Sequence, residues 1–409
     1  MRALRARLDK LAPHFERGGR LHRWHPLWEA ADTFFYSPAS VTGTAAHVRD
    51  AVDLKRIMMT VVIAALPCVL MAIYNTGLQA NLAIDPARAA ALEGWRHAVI
   101  RWLGTGYSPA SGLANAVHGA LYFLPLYIVT MVVGLSWEVL FAIVRKVEVN
   151  EGFFVTGILF PLILPPTTPL WQAALGISFG VVLAKEVFGG TGMNFINPAL
   201  AARAFLFFAY PGEISGDKVW TAVPDGAAVD GFSGATLLGQ VRVMTQPFEA
   251  AGFSWTRAFL GFEPGSMGET SALACLIGAL IIAFTKVGSW RIMVGAVLGT
   301  IAMSLLFNAI GSTTNAWYAV PFWWHMVLGG WAFGIAFMAT DPVTAPFAEK
   351  GKWIYGAMIG AMIVLIRVVN PAYPESTMLV ILFMNVVAPF IDWTFVKANV
   401  TRRRKRAAA

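Results

Sequence analysis

The chain has 409 residues, of which 57% are hydrophobic and only 13% carry a charge. Soluble globular domains carry about 25% charged residues, so this chain has too little charge to cover a water-facing surface. The net charge is +8, but ten of the 31 Lys and Arg residues lie in 1–56 and five in 400–409. Basic segments that flank apolar ones are typical of the cytoplasmic ends of membrane proteins, and they argue against nucleic-acid binding.

The chain opens with a basic arm, residues 1–56. Apolar residues recur in this arm at helical spacing, at Leu21, Trp24, Leu27, Trp28 and Ala31. The pattern predicts a short amphipathic helix in the membrane interface, with Pro26 as a candidate break. The first long apolar run begins only near Ile57, so we expect no signal peptide.

Ten apolar stretches follow that reach or approach the roughly 20 residues of a membrane-spanning helix. The predicted spans are 57–76, 117–144, 153–166, 171–188, 198–210, 270–286, 290–310, 324–340, 353–370 and 376–396. The short stretches 153–166 and 198–210 are expected to be tilted, broken or longer than their apolar runs. The sequence therefore predicts an all-α integral membrane protein.

The distribution of basic residues orients these spans. If the N-terminus is cytoplasmic, the basic connections that fall on the same side are Arg145, Lys146, Lys185, 286–291 and 350–352, together with the basic tail at 401–406. Only the stretch 77–116 carries several Arg residues outside, which a long loop tolerates. We therefore expect both termini in the cytoplasm.

The longest polar segment, 211–269, divides the membrane part into two sets of five spans, 57–210 and 270–396, before a basic tail at 397–409. An odd number of spans per set makes any repeat inverted, and inverted repeats often carry a site near the midplane at broken helices. Two Gly- and Pro-broken stretches fit that idea, GGTGMNFINP at 189–198 and ATDPVTAP at 339–346. The alternative is a pair of ordinary cytoplasmic turns.

The two cysteines, Cys68 and Cys275, lie in apolar stretches and have no metal-ligand spacing. Neither a disulfide framework nor a zinc site is expected, and both are predicted to be small core residues. An iron–sulfur cluster would need further ligands from a partner chain.

The string DGFSGAT at 230–236 lies in the predicted outer segment. Its glycines permit tight turns, and Ser233 and Thr236 offer hydroxyls that could carry a phosphoester. By its residues alone, the string is more typical of an ordinary surface turn.

DGFSGAT resembles the flavinylation motif of the NqrB subunits, which carry flavin in the Na⁺-translocating NADH:quinone reductases. A similar motif occurs in the RnfD subunits of Rnf-type electron-transport complexes. The resemblance covers nearly the whole chain, through strings at 149–160, 170–201, 337–345 and 366–375. The basic arm favours the reductase over the Rnf complex. A solute channel similar to urea transporters is a further alternative, because the fold of this family resembles theirs and fold alone does not decide function.

The resemblance implies two flavins. FMN would be joined through a phosphoester to Thr236, with Ser233 and Gly234 beside it, and a flavin transferase would attach it because a threonine hydroxyl is a poor nucleophile. Riboflavin would bind noncovalently at the turn that contains Asn194 and Asn197. The alternative is that these asparagines cap the helix that begins at Pro198.

The resemblance also implies a quinone site and a sodium path. An apolar, aromatic-lined cleft for ubiquinone would include the residues Gly134, Glu138, Glu151, Phe153 and Phe154, although such aromatics also occur as interfacial belt residues. Asp392 and Asp341 offer the oxygen ligands that Na⁺ prefers, and Glu138 is an alternative for ion uptake. The structural alternative for Glu138 and Asp392 is an ion pair with Arg145, Arg367 or Lys397.

The implied function is that of a membrane subunit of an NADH:ubiquinone reductase, a translocase of the bacterial inner membrane. Electrons would pass from the outer FMN through riboflavin to ubiquinone, coupled to Na⁺ export. The expected partners are subunits A, C, D, E and F, the flavin transferase and membrane lipid. The chain has no GxGxxG fingerprint after a strand and no Walker A motif, so we expect NADH to bind another subunit and no ATP to be used. No catalytic side chain or metal cluster is assigned.

Overall fold

The computed structural model describes residues 2–15, 18–25, 28–29, 32, 54–147, 149, 152–224, 226–240, 248, 252–370 and 375–408. Within these ranges every regular element is a helix or helical turn, apart from one isolated bridge between Ile84 and Ala228. Six of the described helices are long and apolar enough to cross a membrane. The expected all-α, multi-pass membrane fold is confirmed, whereas ten spans in two inverted repeats remain a prediction.

The described residues of the first half of the chain form seven helices of six or more residues. They are α1 (Arg2–Phe15), α2 (Leu54–Ala83), α3 (Trp95–Leu103), α4 (Gly112–Arg145), α5 (Phe153–Leu162), α6 (Leu170–Ala184) and α7 (Pro198–Ala209). Shorter 3₁₀ turns occupy His22–Trp24, Ala89–Ala91 and Glu186–Phe188. In the described part of the arm, the helix predicted around residue 24 is a 3₁₀ turn, His22–Trp24, followed by the helical residues His25, Trp28, Glu29 and Asp32. Leu27, Ala31 and Pro26 lie outside that part.

The described residues of the polar segment and of the second half form nine more helices. They are α8 (Pro211–Ile214), α9 (Leu237–Gln240), α10 (Trp255–Leu260), α11 (Ala272–Phe284), α12 (Trp290–Ile310), α13 (Phe322–Val327), α14 (Trp331–Phe333), α15 (Glu349–Val369) and α16 (Ser376–Ala408). A 3₁₀ turn, Ala316–Ala319, precedes α13, and a π-helical turn, Gly334–Met338, continues α14. The last helix runs twelve residues past the predicted span end at 396, so the basic tail continues α16 as a helix.

Helices α2 and α4 are longer than their predicted spans, 57–76 and 117–144, and their extra turns lie side by side. Asn81 of α2 donates to Asn115 of α4 over 2.8 Å, and the His118 ring is 2.7 Å from the Asn81 oxygen. Because these polar side chains satisfy one another, the helices continue beyond the apolar runs. Hydropathy alone does not detect such pairs.

The predicted span 324–340 is interrupted at 328–330, and the prediction of one continuous helix there was wrong. Gly329 has a φ of +60°, which favours glycine. The break frees the carbonyls of His325 and Leu328, and the guanidinium of Arg367 on α15 donates to them over 2.7 and 2.9 Å. A broken helix inside a membrane protein is tolerated where side chains satisfy the freed backbone groups in this way.

The predicted span 153–166 is also shorter as a helix, since α5 ends at Leu162. The irregular segment that follows is buried, and its carbonyls are satisfied by the other half of the chain. Gly268 N–H donates to the Leu162 carbonyl over 2.7 Å, and Met267 N–H donates to the Leu164 carbonyl over 3.1 Å. This loop therefore joins the two halves near the end of the bundle that carries residues 210–271.

Two helix pairs cross with their backbones in contact. In the α12–α15 pair, a Cβ added at Gly360 would overlap the carbonyl oxygen of Ala296, and one added at Gly356 would overlap that of Ile292. In the α2–α4 pair, Gly77 and Gly119 lie against each other's helix backbone in the same manner. Small residues allow this close approach, which is how helices associate in lipid, where burial of apolar surface gives no driving force.

Contacts between connecting segments define two ends of the bundle. At the arm-side end, the described residues of segments 146–152, 185–197, 285–289 and 339–348 lie together; for example, Arg145 at the end of α4 pairs with Glu186 over 2.6 Å. At the motif-side end, the described residues of segments 84–111, 210–271, 311–321 and 370–375 lie together; for example, Asp85 N–H donates to the Ala227 carbonyl over 3.0 Å. The two broken stretches singled out in the sequence both lie at the arm-side end.

Both cysteines are buried in the main core, as predicted. Cys68 of α2 and Cys275 of α11 are free thiols whose sulfurs lie 3.8 Å apart. Both side chains are buried inside this chain, with at most 1% of their surface exposed.

Candidate functional site

The arm-side end contains a cavity of about 720 Å³, counting its opening to solvent. Its polar lining comes from both broken stretches, through Thr191, Asn194, Asn197, Thr340 and Asp341, together with Lys185. The structure thus brings the two predicted stretches together at one site.

Asn197 begins α7 and performs two tasks. Its Oδ1 accepts hydrogen bonds from the N–H groups of Ala199 and Leu200, so the predicted helix cap is confirmed. Its Nδ2 donates to Asp341 across the interface of the two halves, over 3.4 Å. Asn194 donates only to the nearby Ile196 carbonyl, over 3.1 Å, and also lines the cavity.

Asp341 supplies a buried carboxyl group on the opposite wall. Its oxygens accept from Val343 N–H and from the Thr344 hydroxyl, each over 3.1 Å, as well as from Asn197. Burial raises the pKa of the Asp341 carboxyl above its ordinary value, although these hydrogen bonds oppose the shift.

Two further lining residues were not identified from the sequence. The Oγ1 atom of Thr191 is buried and has no hydrogen-bond partner among the described residues. Lys185, at the end of α6, is almost fully buried and bonds to Glu138 of α4 over 2.5 Å. The partner of Glu138 is therefore Lys185, and the predicted pairing with Arg145, Arg367 or Lys397 was wrong.

The residues predicted for quinone lie beside this cavity, between α4 and α5. The buried ring of Phe153 fills the space where Gly134 lacks a side chain, and a Cβ there would overlap it. Glu138 lies one turn further along the same face of α4. Phe154 is half-buried next to Phe153, and Glu151 lies outside the described residues.

Asp392, predicted for sodium, lies near the start of α15 at the arm-side end. Its two carboxylate oxygens accept from the N–H groups of Phe347 and Ala348, each over 2.8 Å. This contact satisfies backbone donors at the beginning of a helix. Asp392 is not one of the described residues that line the arm-side cavity, so the structure does not bring Asp392 and Asp341 together there.

A second cavity, of about 610 Å³, lies at the motif-side end, and Thr236 lines it. Thr236 is half-buried just before α9, and its Oγ1 accepts from Gly239 N–H over 3.1 Å. Gly234 packs on the Asp217 carbonyl too closely for a side chain, and Gly231 has a φ of +77°. The exposed Ser233 hydroxyl accepts from Ala235 N–H. The glycines of the motif are thus required by its backbone path.

Buried charges surround this cavity. Arg203 of α7 pairs with Glu269 over 3.2 Å and with Glu375 over 3.0 Å, which joins the first half of the chain to the second. Burial raises the pKa of Glu263 to about 8 and that of Glu375 to about 7, and the neighbouring arginines reduce both shifts. Sequence reasoning missed Arg203, although a lone arginine inside an apolar span is a recognisable signal.

Comparison with known proteins agrees with the sequence resemblance. The family described as the NQR2, RnfD, RnfE family matches residues 41–401. A relative from Ectopseudomonas mendocina, which bears the name of the NqrB subunit of Na⁺-translocating NADH-quinone reductase, is 57% identical over 98% of this chain and 99% of its own length. Proteins of the same name from Stutzerimonas stutzeri and Klebsiella pneumoniae are each 56% identical over 98% of this chain, and over 99% and 98% of their own lengths.

Proposed function

Because the chain belongs to the NQR2, RnfD, RnfE family, we propose that it works as its full-length relatives are named, as the NqrB subunit of a Na⁺-translocating NADH-quinone reductase. It is a membrane subunit of an oxidoreductase complex rather than a complete enzyme. The relatives match the basic arm as well as the membrane part, since they cover 98% of the chain. This coverage favours the reductase over the Rnf complex.

We propose that Thr236 carries FMN through a phosphoester. The observation that carries this proposal is that the Thr236 side chain lines the motif-side cavity, at a turn whose glycines permit close approach. A bound flavin supplies reversible uptake and release of electrons. Ser233 and Gly234 shape the turn, and a flavin transferase supplies the activation that the hydroxyl lacks.

We propose riboflavin as the ligand of the arm-side cavity. The amides of Asn194 and Asn197, the Asp341 carboxyl group and the unpaired Thr191 hydroxyl offer donors and acceptors along one cavity wall. A flavin ring edge presents both kinds of group, so these side chains fit it. Their role is to orient the ring between the two halves of the chain.

Ubiquinone and Na⁺ are proposed to use the same arm-side end. The quinone head would bind beside the cavity, to Gly134, Glu138, Glu151, Phe153 and Phe154. Lys185 lines the cavity and bonds to Glu138, so it connects the two places. For Na⁺, we propose that the carboxylate oxygens of Asp341 and of Asp392 act as ligands at two separate places, because Asp392 does not line the cavity.

The proposed setting is the bacterial inner membrane, with both termini in the cytoplasm and ten spans in two inverted repeats. The proposed partners are subunits A, C, D, E and F and a flavin transferase. With this orientation, one cavity lies at each side of the bilayer within a single chain.

The test is in-gel flavin fluorescence of the denatured chain, followed by peptide mass analysis. We expect a fluorescent band and the mass of FMN on the peptide that contains Thr236. Thr236→Val should remove both signals, whereas Ser233→Ala should keep them. A dark wild-type band from cells that contain the transferase would refute the attachment and favour the solute-channel alternative.

A further inference from the structure

Three side chains that line the motif-side cavity have a hydrogen-bonding atom without a partner among the described residues. These atoms are Nε of Arg203, Nε of Arg367 and Oγ1 of Thr377. The three residues are only 4%, 1% and 7% exposed. Buried polar groups in proteins are almost always hydrogen-bonded, so three unpaired ones around one cavity indicate that a ligand supplies their partners.

Both guanidinium groups are held in place by their other nitrogens. Arg203 donates to Glu269, Glu375 and Ser266 over 3.0–3.2 Å. Arg367 donates to the carbonyls of His325 and Leu328 at the break between α13 and α14. Each terminal nitrogen already donates to a protein acceptor, so Nε is the nitrogen of each arginine that has no partner among the described residues.

The three groups come from different helices and share the cavity with the motif. Arg203 lies on α7, Arg367 on α15 and Thr377 on α16, while Thr236 precedes α9. Arg203 is also part of an ion-paired cluster, whereas Arg367 bonds only to backbone carbonyls among the described residues. The cavity thus offers three donors and the positive charge of Arg367 to a ligand that presents acceptor atoms, while the carboxyl groups of Glu263, Glu269 and Glu375 also line it.

We propose that Arg203, Arg367 and Thr377 bind the acceptor edge of the flavin ring tethered at Thr236 and stabilise its reduced form. This inference rests on the proposed attachment of FMN. Reduction by two electrons from the NADH-driven chain, with one proton, adds one negative charge to the ring. Hydrogen bonds from cationic donors are stronger to a charged acceptor than to a neutral one, so these residues favour the reduced state. They are positioning residues that set the reduction potential.

The experiment uses the full complex with Arg203→Lys, Arg367→Lys and Thr377→Val. Arg96→Lys is the matched control, because Arg96 donates to the Leu121 carbonyl at the same end of the bundle and does not line the cavity. Flavin on the Thr236 peptide is measured by in-gel fluorescence. The midpoint potential of this flavin is measured by spectroelectrochemical titration, after subtraction of the titration of Thr236→Val. Quenching of its fluorescence by acrylamide reports how exposed the ring is.

We expect full flavin content in all four variants. At the wild-type midpoint, the ratio of reduced to oxidised flavin should fall about tenfold in each arginine variant, by less in Thr377→Val, and not at all in Arg96→Lys. Quenching by acrylamide should increase most in the two arginine variants, less in Thr377→Val, and not at all in Arg96→Lys. If an arginine variant fails to assemble, the nearly isosteric Thr377→Val decides the question.

Unchanged potential and quenching in the cavity variants, with full flavin content, would overturn the ring site and leave the attachment intact. A wild-type Thr236 peptide without flavin would instead refute the attachment itself. The two failures are therefore distinguishable in one set of samples.

Discussion

The ammonium nitrogen of Lys185 lies 2.5 Å from a carboxylate oxygen of Glu138, and both side chains are almost fully buried. The pair joins α4 to the end of α6 and places a cation at the wall of the arm-side cavity. Because each charge compensates the other, removal of one partner is more damaging than removal of both.

Lys185→Met should lower the stability of the complex by about 3–5 kcal/mol, since it leaves the Glu138 carboxylate buried without a counter-ion. The double variant Lys185→Met with Glu138→Gln should recover most of that loss. Thermal unfolding followed by tryptophan fluorescence measures both. The prediction is wrong if the single variant is as stable as wild type, with exposed Lys286→Met as the control for charge removal.

Asn197 should show two separable roles. Asn197→Ser keeps a capping oxygen but lacks the amide that donates to Asp341, whereas Asn197→Ala loses both. We expect only Asn197→Ala to lose about 1 kcal/mol of stability, because serine also caps helices well. Both variants should release less noncovalent flavin on denaturation. A full flavin content in Asn197→Ser would contradict the proposed contact.

The crossing of α12 and α15 should not tolerate a side chain at Gly360. Gly360→Ala forces its Cβ against the Ala296 carbonyl and should destabilise the protein by about 1–3 kcal/mol through overpacking. Gly112→Ala is the control, because a Cβ there meets no described atom within 4 Å. Equal melting temperatures for the two variants would argue against the close crossing.

Glu263 should give stability a characteristic pH dependence. Burial raises the pKa of this carboxyl from an ordinary value near 4.5 to about 8 in the folded chain. Between these values the folded state holds more protons than the unfolded state, so this group lowers stability progressively as pH rises, up to about pH 8. Glu263→Gln should therefore gain stability relative to wild type between pH 5 and pH 8. Melting curves across that interval test it, and parallel curves for the two proteins would refute it.

Several features of the fold followed from the sequence because they depend on local composition. Apolar runs predicted where membrane helices lie, and Pro198 after Asn197 predicted a capped helix start, as found. The two Gly- and Pro-broken stretches were expected to mark a site, and they line one cavity. These predictions needed no knowledge of which helices are neighbours.

Other features depended on partners far away in the chain. The break at 328–330 is stabilised by Arg367, about 40 residues later. The apolar run around the break does not reveal this distant partner. Glu138 could be recognised as a buried carboxylate, but not paired correctly, because Lys185 reaches it only after α4 and α6 have packed together. Long-range pairing of this kind is decided by packing rather than by local pattern.

Helix α16 runs without interruption for 33 residues, from Ser376 to Ala408. At a rise of about 1.5 Å per residue it measures about 50 Å, whereas the hydrocarbon layer is about 30 Å thick. The basic residues at 402–406 therefore lie on the part of the helix that extends beyond the hydrocarbon layer. Each residue inserted before them would move these charges about 1.5 Å further along the helix axis and turn them by about 100° around it. The length of α16 therefore sets both the distance and the direction at which these charges meet another surface.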